Sequence, residues 1–114
     1  MSQPTVREMV TARRLEVLAG DLSPTRAAEV ATQLSALLGN IAQEIREADM
    51  AFNLVYANCL DEEGKANRAK IRAELTPAYV RKREAHDLHM VAVEMIRSLR
   101  KMQDTFREEM RLSR

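Results

Sequence analysis

Residues 27–59 read AAEVATQLSALLGNIAQEIREADMAFNLVYANC and decide the fold, because apolar side chains recur in them with a seven-residue period. The members of one column are Ala31, Leu38, Ile45, Phe52 and Cys59, and those of the other are Ala27, Leu34, Ile41, Ala48 and Val55. The two columns alternate by three and four residues, which is the spacing of a coiled-coil or helical-bundle seam. This pattern predicts one long helix whose apolar face packs against another helix.

A second region with the same pattern lies near the C-terminal end. Its columns are Ala85, Ala92, Leu99 and Phe106, and Leu88, Met95 and Met102. Because only a short connection separates the two regions, we expect them to pair as an antiparallel hairpin. A turn near residue 70 would pair positions whose numbers add up to about 140, so that Ile45 lies near Met95.

Start and stop signals divide the chain into helices at about 5–19, 24–62, 65–75 and 77–112. Residues 5–8 have a capping-box pattern, and Gly20 is a typical helix terminator. Ser23-Pro24 and Thr76-Pro77 each place a cap residue before a Pro at the first helical position. The sequence therefore predicts a single all-α domain: a long antiparallel helical hairpin, coiled-coil-like, with a short N-terminal helix and a short connecting helix.

Composition also favours a helical protein. Of 114 residues, 46% are hydrophobic and 31% are charged, with only 3 Gly and 3 Pro. A β-sandwich or barrel needs turn residues about every 8–12 positions, so this composition argues against those folds. The single Cys59 excludes an internal disulfide, and no apolar run approaches the roughly 18 residues of a membrane span. We therefore expect a cytoplasmic protein with no membrane partner.

Charge is divided unevenly between the two halves. Residues 1–64 carry 5 basic and 10 acidic groups, a net charge of −5, whereas residues 65–114 carry 13 and 7, a net charge of +6. An acidic helix folded against a basic one gains cross-helix attraction, although each exposed pair contributes only about 0.2–1 kcal/mol. The asymmetry therefore favours the hairpin and is by itself weak evidence for nucleic-acid binding.

Two stretches, 50–60 and 88–96, are apolar on more faces than a two-helix hairpin needs. Met50, Leu54, Met90 and Val93 occupy outer heptad positions that a lone hairpin would leave in water. Either the 65–75 helix folds back over them, or a second copy of the chain completes a four-helix core. Contiguous exposed apolar patches usually mark interfaces. We therefore predict that these four residues form an oligomer or partner interface, with dimer and tetramer both open.

Basic residues recur on the outward side of the last helix. They are Arg97, Arg100, Lys101, Arg107, Arg111 and Arg114. Such a stripe could follow a phosphate backbone, but Asp104, Glu108 and Glu109 interrupt it and no aromatic residues accompany it to stack on bases. A solvated helix face is the simpler interpretation, and a nucleic-acid-binding accessory role is the alternative.

Few residues offer chemistry. His86 and His89 are three apart, as in some metal pairs, but no carboxylate completes a site, so surface histidines are expected. The acidic pairs Glu44/Glu47 and Glu84/Asp87 superficially resemble those of magnesium-dependent all-α nucleotide pyrophosphohydrolases, yet the expected hairpin register separates them by roughly 18 Å. Cys59 falls in a seam column and is expected to be a buried hydrophobe. We therefore predict a protein that is not an enzyme and has no catalytic residues, metal or cofactor.

Three segments of the C-terminal half carry a resemblance to a known type of protein. They are Leu75-Thr76-Pro77-Ala78-Tyr79-Val80-Arg81, Glu94-Met95-Ile96-Arg97-Ser98-Leu99-Arg100-Lys101 and Glu109-Met110-Arg111-Leu112-Ser113-Arg114. They resemble small helical accessory proteins of phages and prophages of Gram-positive bacteria, often encoded near replication or recombination genes. The resemblance implies a cytoplasmic accessory protein, in a bacterial or phage-infected cell, that modulates another protein machine. It carries over no catalytic residues.

Overall fold

The computed structural model describes residues 3–113, and these form four helices and no strand. The helices are α1 (Val6–Ala19), α2 (Pro24–Glu63), α3 (Ala66–Glu74) and α4 (Pro77–Leu112). The predicted all-α class, with two long helices and two short ones, is confirmed. None of the helices within residues 3–113 combines the length and the apolar character that crossing a bilayer requires.

The helices are grouped into two compact units. The first comprises the residues up to Asn40 and those from Leu88 onward, and the second is Ile41–Asp87. Both long helices therefore contribute a segment to each unit. In the first unit the buried apolar residues are Val10, Ala27, Val30, Ala31, Leu34, Ala92, Met95, Ile96 and Leu99. In the second they are Ile41, Ala48, Cys59, Ala69, Ala73 and Ala85.

The helix ends follow local side-chain and backbone chemistry. The Thr5 hydroxyl oxygen accepts a hydrogen bond from the Glu8 N–H at 3.1 Å, and that of Ser23 accepts one from the Arg26 N–H at 3.1 Å. Gly20 ends α1 with φ +82°, in the left-handed region that favours glycine. Thr76 acts differently from expectation: its hydroxyl donates to the Ala73 carbonyl at 2.6 Å, so it satisfies the end of α3 rather than the start of α4.

In the first unit, α1 is attached to the start of α2 by an ion pair. The Arg26 guanidinium donates to both carboxylate oxygens of Glu16, from Nε at 2.5 Å and from Nη2 at 2.9 Å. Those hydrogen bonds lower the pKa of Glu16. Val10 is fully buried, whereas Leu18 is 69% exposed. Only part of the apolar surface of α1 is therefore buried.

In the second unit, α3 packs against the last turns of α2. Ala69 and Ala73 form a buried cluster with Cys59, and partly buried aromatic and aliphatic side chains of α2 surround it, namely Phe52, Val55 and Tyr56. Because alanine side chains are short, α3 can approach α2 closely. The reversal between the two helices occurs at Gly64, whose φ of +70° favours glycine.

This arrangement changes the pairing of α2 with α4 in the second unit. Phe52 and Tyr79 have ring centroids 5.6 Å apart, His86 Nε2 lies 3.0 Å from Asp49 Oδ1, and Arg81 binds Glu44. The residue numbers of these contacting pairs add up to 131, 135 and 125. The predicted register, in which the numbers of paired residues add up to about 140, is therefore wrong in the second unit. The reason is that the chain reverses at Gly64 and α3 lies back along α2, so the turn is not centred on residue 70.

Alanine dominates the buried part of the described chain. Of the 15 buried apolar residues, 7 are Ala, and the largest fully buried side chains are Leu34, Ile41, Leu99, Val10 and Val30. No polar or charged residue of the described chain is buried. The core is therefore uniformly apolar and rich in small side chains.

Candidate functional site

Five exposed residues form a row along α2, on the side of the helix away from its buried seam. They are Arg46, Met50, Leu54, Ala57 and Asp61, and we call them the α2 outer row. Their spacing of four, four, three and four residues keeps them on one face of a helix. Met50 is 72% exposed and Leu54 is 66% exposed. The row lies on a 40-residue helix, and its three central residues are apolar.

The row is not covered by α3. That helix packs on Cys59 and its neighbours in the seam, which lie on a different face of α2 from Met50 and Leu54. Of the two ways in which the sequence could cover these apolar residues, folding back of the connecting helix is therefore excluded for Met50 and Leu54. Their apolar side chains are therefore left in contact with solvent by residues 3–113.

The two ends of the row carry opposite charges. Arg46 is the only basic residue between positions 27 and 64, and neither it nor Asp61 forms an ion pair within residues 3–113. Neighbouring acids already have a basic partner inside the chain. Arg72 pairs with Glu62 and Glu63, and Arg81 Nη2 lies 3.5 Å from a Glu47 carboxylate oxygen. Arg46 and Asp61 thus stand out as charges available to a partner.

The other two predicted interface residues lie in the first unit. Met90 is 59% exposed on α4, whereas Val93 is half-buried. Met90 therefore presents its side chain to solvent, while Val93 has only part of its surface available. Met50 and Leu54 thus belong to the second unit, and Met90 and Val93 belong to the first.

The basic side chains of α4 differ in their pairing. Arg97, Arg100 and Lys101 are exposed and form no ion pair within the described part of the chain. Arg107 lies 4.0 Å from Asp104, and Arg111 lies 2.7 Å from Glu108, one turn or less away along the helix. Arg114 lies outside the described residues. The free positive charge of this face is therefore concentrated at residues 97–101.

The acidic residues that resembled a magnesium site do not form one in a single chain. Arg81 donates to both oxygens of Glu44, at 2.9 and 2.7 Å, and this lowers the pKa of Glu44. No three His, Cys, Asp or Glu side chains within residues 3–113 are close enough to hold a metal ion together. The one such side chain that His86 contacts is Asp49, with 3.0 Å between His86 Nε2 and Asp49 Oδ1. Glu44 acts as an ion-pair partner between α2 and α4.

Two hollows were not foreseen from the sequence. In the first unit, Met9, Ala12, Ala36 and Leu37 line an apolar groove of about 490 Å³ between α1 and α2, bordered by a 3.3 Å hydrogen bond from Arg13 to Gln33. Leu37 lies just beside a seam column.

In the second unit, a shallower hollow of about 300 Å³ lies beside Phe52, Tyr56 and Tyr79. The ammonium group of Lys82 sits 4.6 Å above the Phe52 ring, which is a cation–π contact. The hollow depends on the position of α3, and for that reason the heptad columns could not indicate it.

The comparisons with known proteins add no relative. No family model, no curated protein and no solved structure matches the chain. The surfaces described above are therefore the basis on which a function is assigned.

Proposed function

We propose that this chain is a non-catalytic helical protein-interaction module that associates with itself through exposed apolar faces of its long helices. The observation that carries the proposal is the exposure of Met50 and Leu54, one turn apart on a helix whose seam side is buried. Two large apolar side chains on one helix face lose unfavourable contact with water when another apolar surface covers them. Symmetric homodimers are the commonest assemblies that provide such a cover.

Leu54→Asp tests this function. A carboxylate forced into an apolar interface without a partner is strongly unfavourable, so we expect self-association to weaken by roughly 100-fold or more. Light scattering coupled to size exclusion, over a range of protein concentrations, measures the molar mass. A wild-type mass near 26 kDa, twice the 13.0 kDa of the chain, that falls to the single-chain value in the variant supports the proposal.

Leu18→Asp is the matched control, since Leu18 is 69% exposed, close to the 66% of Leu54, but lies on α1. It should leave the mass unchanged. A wild-type chain that stays at its single-chain mass up to the highest soluble concentration would contradict self-association. Equal loss of association in both variants would show that surface hydrophobicity in general, and not the face bearing Leu54, drives it.

A second candidate function is a nucleic-acid-binding accessory role in replication or recombination. The observation that favours it is the cluster of exposed and unpaired cations at residues 97–101 of α4. Binding of this kind releases counterions and weakens steeply with salt. The resemblance to accessory proteins of phages and prophages agrees with either function, and both would then act in the cytoplasm of a bacterial or infected cell. A third possibility, a magnesium-dependent hydrolase, would need carboxylates from two chains to meet.

A further inference from the structure

The α2 outer row is symmetrical about a point between Asn53 and Leu54. Met50 and Ala57 are equally far from that point along the sequence, and so are Arg46 and Asp61. Leu54 lies half a residue from the point, so two copies of it come together beside the centre. At about 1.5 Å per residue the outermost pair lies roughly 11 Å from it. A surface with this property can be placed on a copy of itself, related by a two-fold axis, with each residue meeting its counterpart.

We propose that a second copy of the chain docks on the α2 outer row, with the two α2 helices antiparallel and Arg46 of each copy paired with Asp61 of the other. The proposal rests on the self-association put forward above and adds the partner, the orientation and the register. In this register the long side chain of Met50 faces the small side chain of Ala57, and the two Leu54 side chains meet at the centre.

Charge distinguishes the antiparallel orientation from the parallel one. A parallel pairing in register would bring Arg46 against Arg46 and Asp61 against Asp61, so both ends would repel. The antiparallel pairing replaces both repulsions with attractions, and it uses the two charges of the row that have no partner inside the described chain. Opposite charges flanking an apolar seam set partner and orientation in helix pairs generally.

The end of α2 also favours a cation from outside. Asp61, Glu62 and Glu63 all lie in its last turns, where the helix dipole is negative and where α2 itself has no basic residue. Arg72 of α3 pairs with both Glu62 and Glu63, and Asp61 is left without a cation. An arginine brought by a second copy would reduce the excess negative charge of this helix end.

The interface implied by one helix face is small, so association in the micromolar range is expected rather than tighter binding. The test uses two charge-reversal variants of the full chain, Arg46→Glu and Asp61→Arg. Each variant alone places like charges at both ends of the symmetric pair, and we expect its homodimer to weaken about tenfold. Mixed in equal amounts, the two variants regain an attractive pair at each end, so the mixture should associate about as well as the wild type.

The double variant Arg46→Glu/Asp61→Arg should also associate like the wild type, because its pairs are merely inverted. The matched control is Arg68→Glu on α3, which reverses an exposed charge that has no ion pair within residues 3–113 and should not affect association. Sedimentation equilibrium measures the dissociation constants, and circular dichroism checks that every variant keeps its helices. Raising the salt concentration should narrow the differences between variants.

The outcomes separate this inference from the proposed function. If the wild type associates and Leu54→Asp prevents it, but the reversals change nothing or the mixture fails to recover, self-association stands and the antiparallel Arg46–Asp61 register is overturned. If the wild type remains a single chain, both proposals fall and the row serves a protein of different sequence. Recovery in the mixture, with weak association of each variant alone, establishes the register.

Discussion

Arg81, one turn into α4, donates to both carboxylate oxygens of Glu44 in α2, from Nε at 2.9 Å and from Nη2 at 2.7 Å. The two residues are 37 apart in sequence, so this pair connects the arms of the second unit. The two-point geometry matches the fork of a guanidinium to a carboxylate and fixes orientation as well as charge.

The first prediction concerns acid sensitivity. Because the hydrogen bonds from Arg81 lower the pKa of Glu44 in the folded chain, the folded state favours the carboxylate. The stability from this pair is therefore present above the ordinary glutamate pKa of 4.5 and is lost as the pH falls through the lowered value. We expect Glu44→Gln to reduce stability at pH 7 by about 0.2–1 kcal/mol, since the pair is exposed, and to reduce the acid dependence of the melting temperature.

Glu94→Gln is the control for this prediction, since Glu94 is exposed and has no ion pair in the described residues. Thermal melts at pH 7 and at pH 3 compare the two variants with the wild type. The pair between Glu16 and Arg26 responds to acid in the same direction, so Glu44→Gln should remove only part of the acid sensitivity. An unchanged pH profile would show that the Arg81 contact contributes nothing in solution.

The second prediction compares two glycines that have equal room for an added Cβ but differ in backbone conformation. Nothing lies within 4 Å of a Cβ added at Gly39 or at Gly64, but Gly64 has φ +70° and Gly39 lies inside α2. Gly39→Ala should stabilise the chain by up to about 1 kcal/mol. Gly64→Ala should destabilise it by about 1–2 kcal/mol because an L side chain is strained there.

Urea unfolding of both glycine variants at one protein concentration checks the signs. Since neither change alters a contact, opposite signs would assign the effect to backbone conformation alone. Equal effects from both substitutions would mean that Gly64 does not keep its left-handed conformation in solution.

The third prediction tests how closely α3 approaches α2. Ala73 is fully buried beside Cys59, so Ala73→Leu should force the two helices apart at a cost of about 1–3 kcal/mol. The Cys59 thiol, which is 7% exposed in the wild type, should then react faster with a thiol reagent. Ala66→Leu is the control, because Ala66 is exposed at the start of the same helix. Unchanged thiol reactivity in Ala73→Leu would contradict the docking of α3 on Cys59.

The fourth prediction separates the two candidate functions. If α4 binds nucleic acid, the unpaired cations carry the binding, so replacing Arg97, Arg100 and Lys101 with Gln should weaken it and should reduce its salt dependence by about three phosphate contacts. Replacing Arg107 and Arg111, which are paired within the helix, should have a smaller effect. Fluorescence anisotropy with a labelled duplex and a labelled single strand, over a range of salt concentrations, measures both quantities. No binding by the wild type at low salt would eliminate this function.

The seam of α2 could be predicted from the sequence because its signal is periodic and local. Ala27, Leu34, Ile41 and Ala48 are buried, and Val55, the fifth member of their column, is partly buried. The position of α3 could not be predicted in the same way, because its contacts depend on two alanines, and alanine occurs equally well on exposed helix faces. The pairing within the second unit depended on that position, so the expected register was displaced.

The sequence predicted the exposure of the outer residues less accurately than the burial of the seam. Met50, Leu54 and Met90 lie on outer helix positions and are exposed, whereas Val93, at a neighbouring outer position, is half-buried. Heptad position gives the direction of a side chain but not the width of the contact that covers it. Likewise, the pattern of α1 did not distinguish the buried Val10 from the exposed Leu18.

If the chain associates with itself as proposed, its alanine-rich core makes the stability of the fold depend on protein concentration. Short side chains remove little apolar area from water, so the single chain gains a small hydrophobic contribution per buried residue. A ligand that binds only the folded state adds stability in proportion to the logarithm of its concentration, and in a self-associating chain that ligand is the chain itself. The melting temperature should therefore rise when the protein is concentrated and fall when it is diluted, and Leu54→Asp should abolish this dependence.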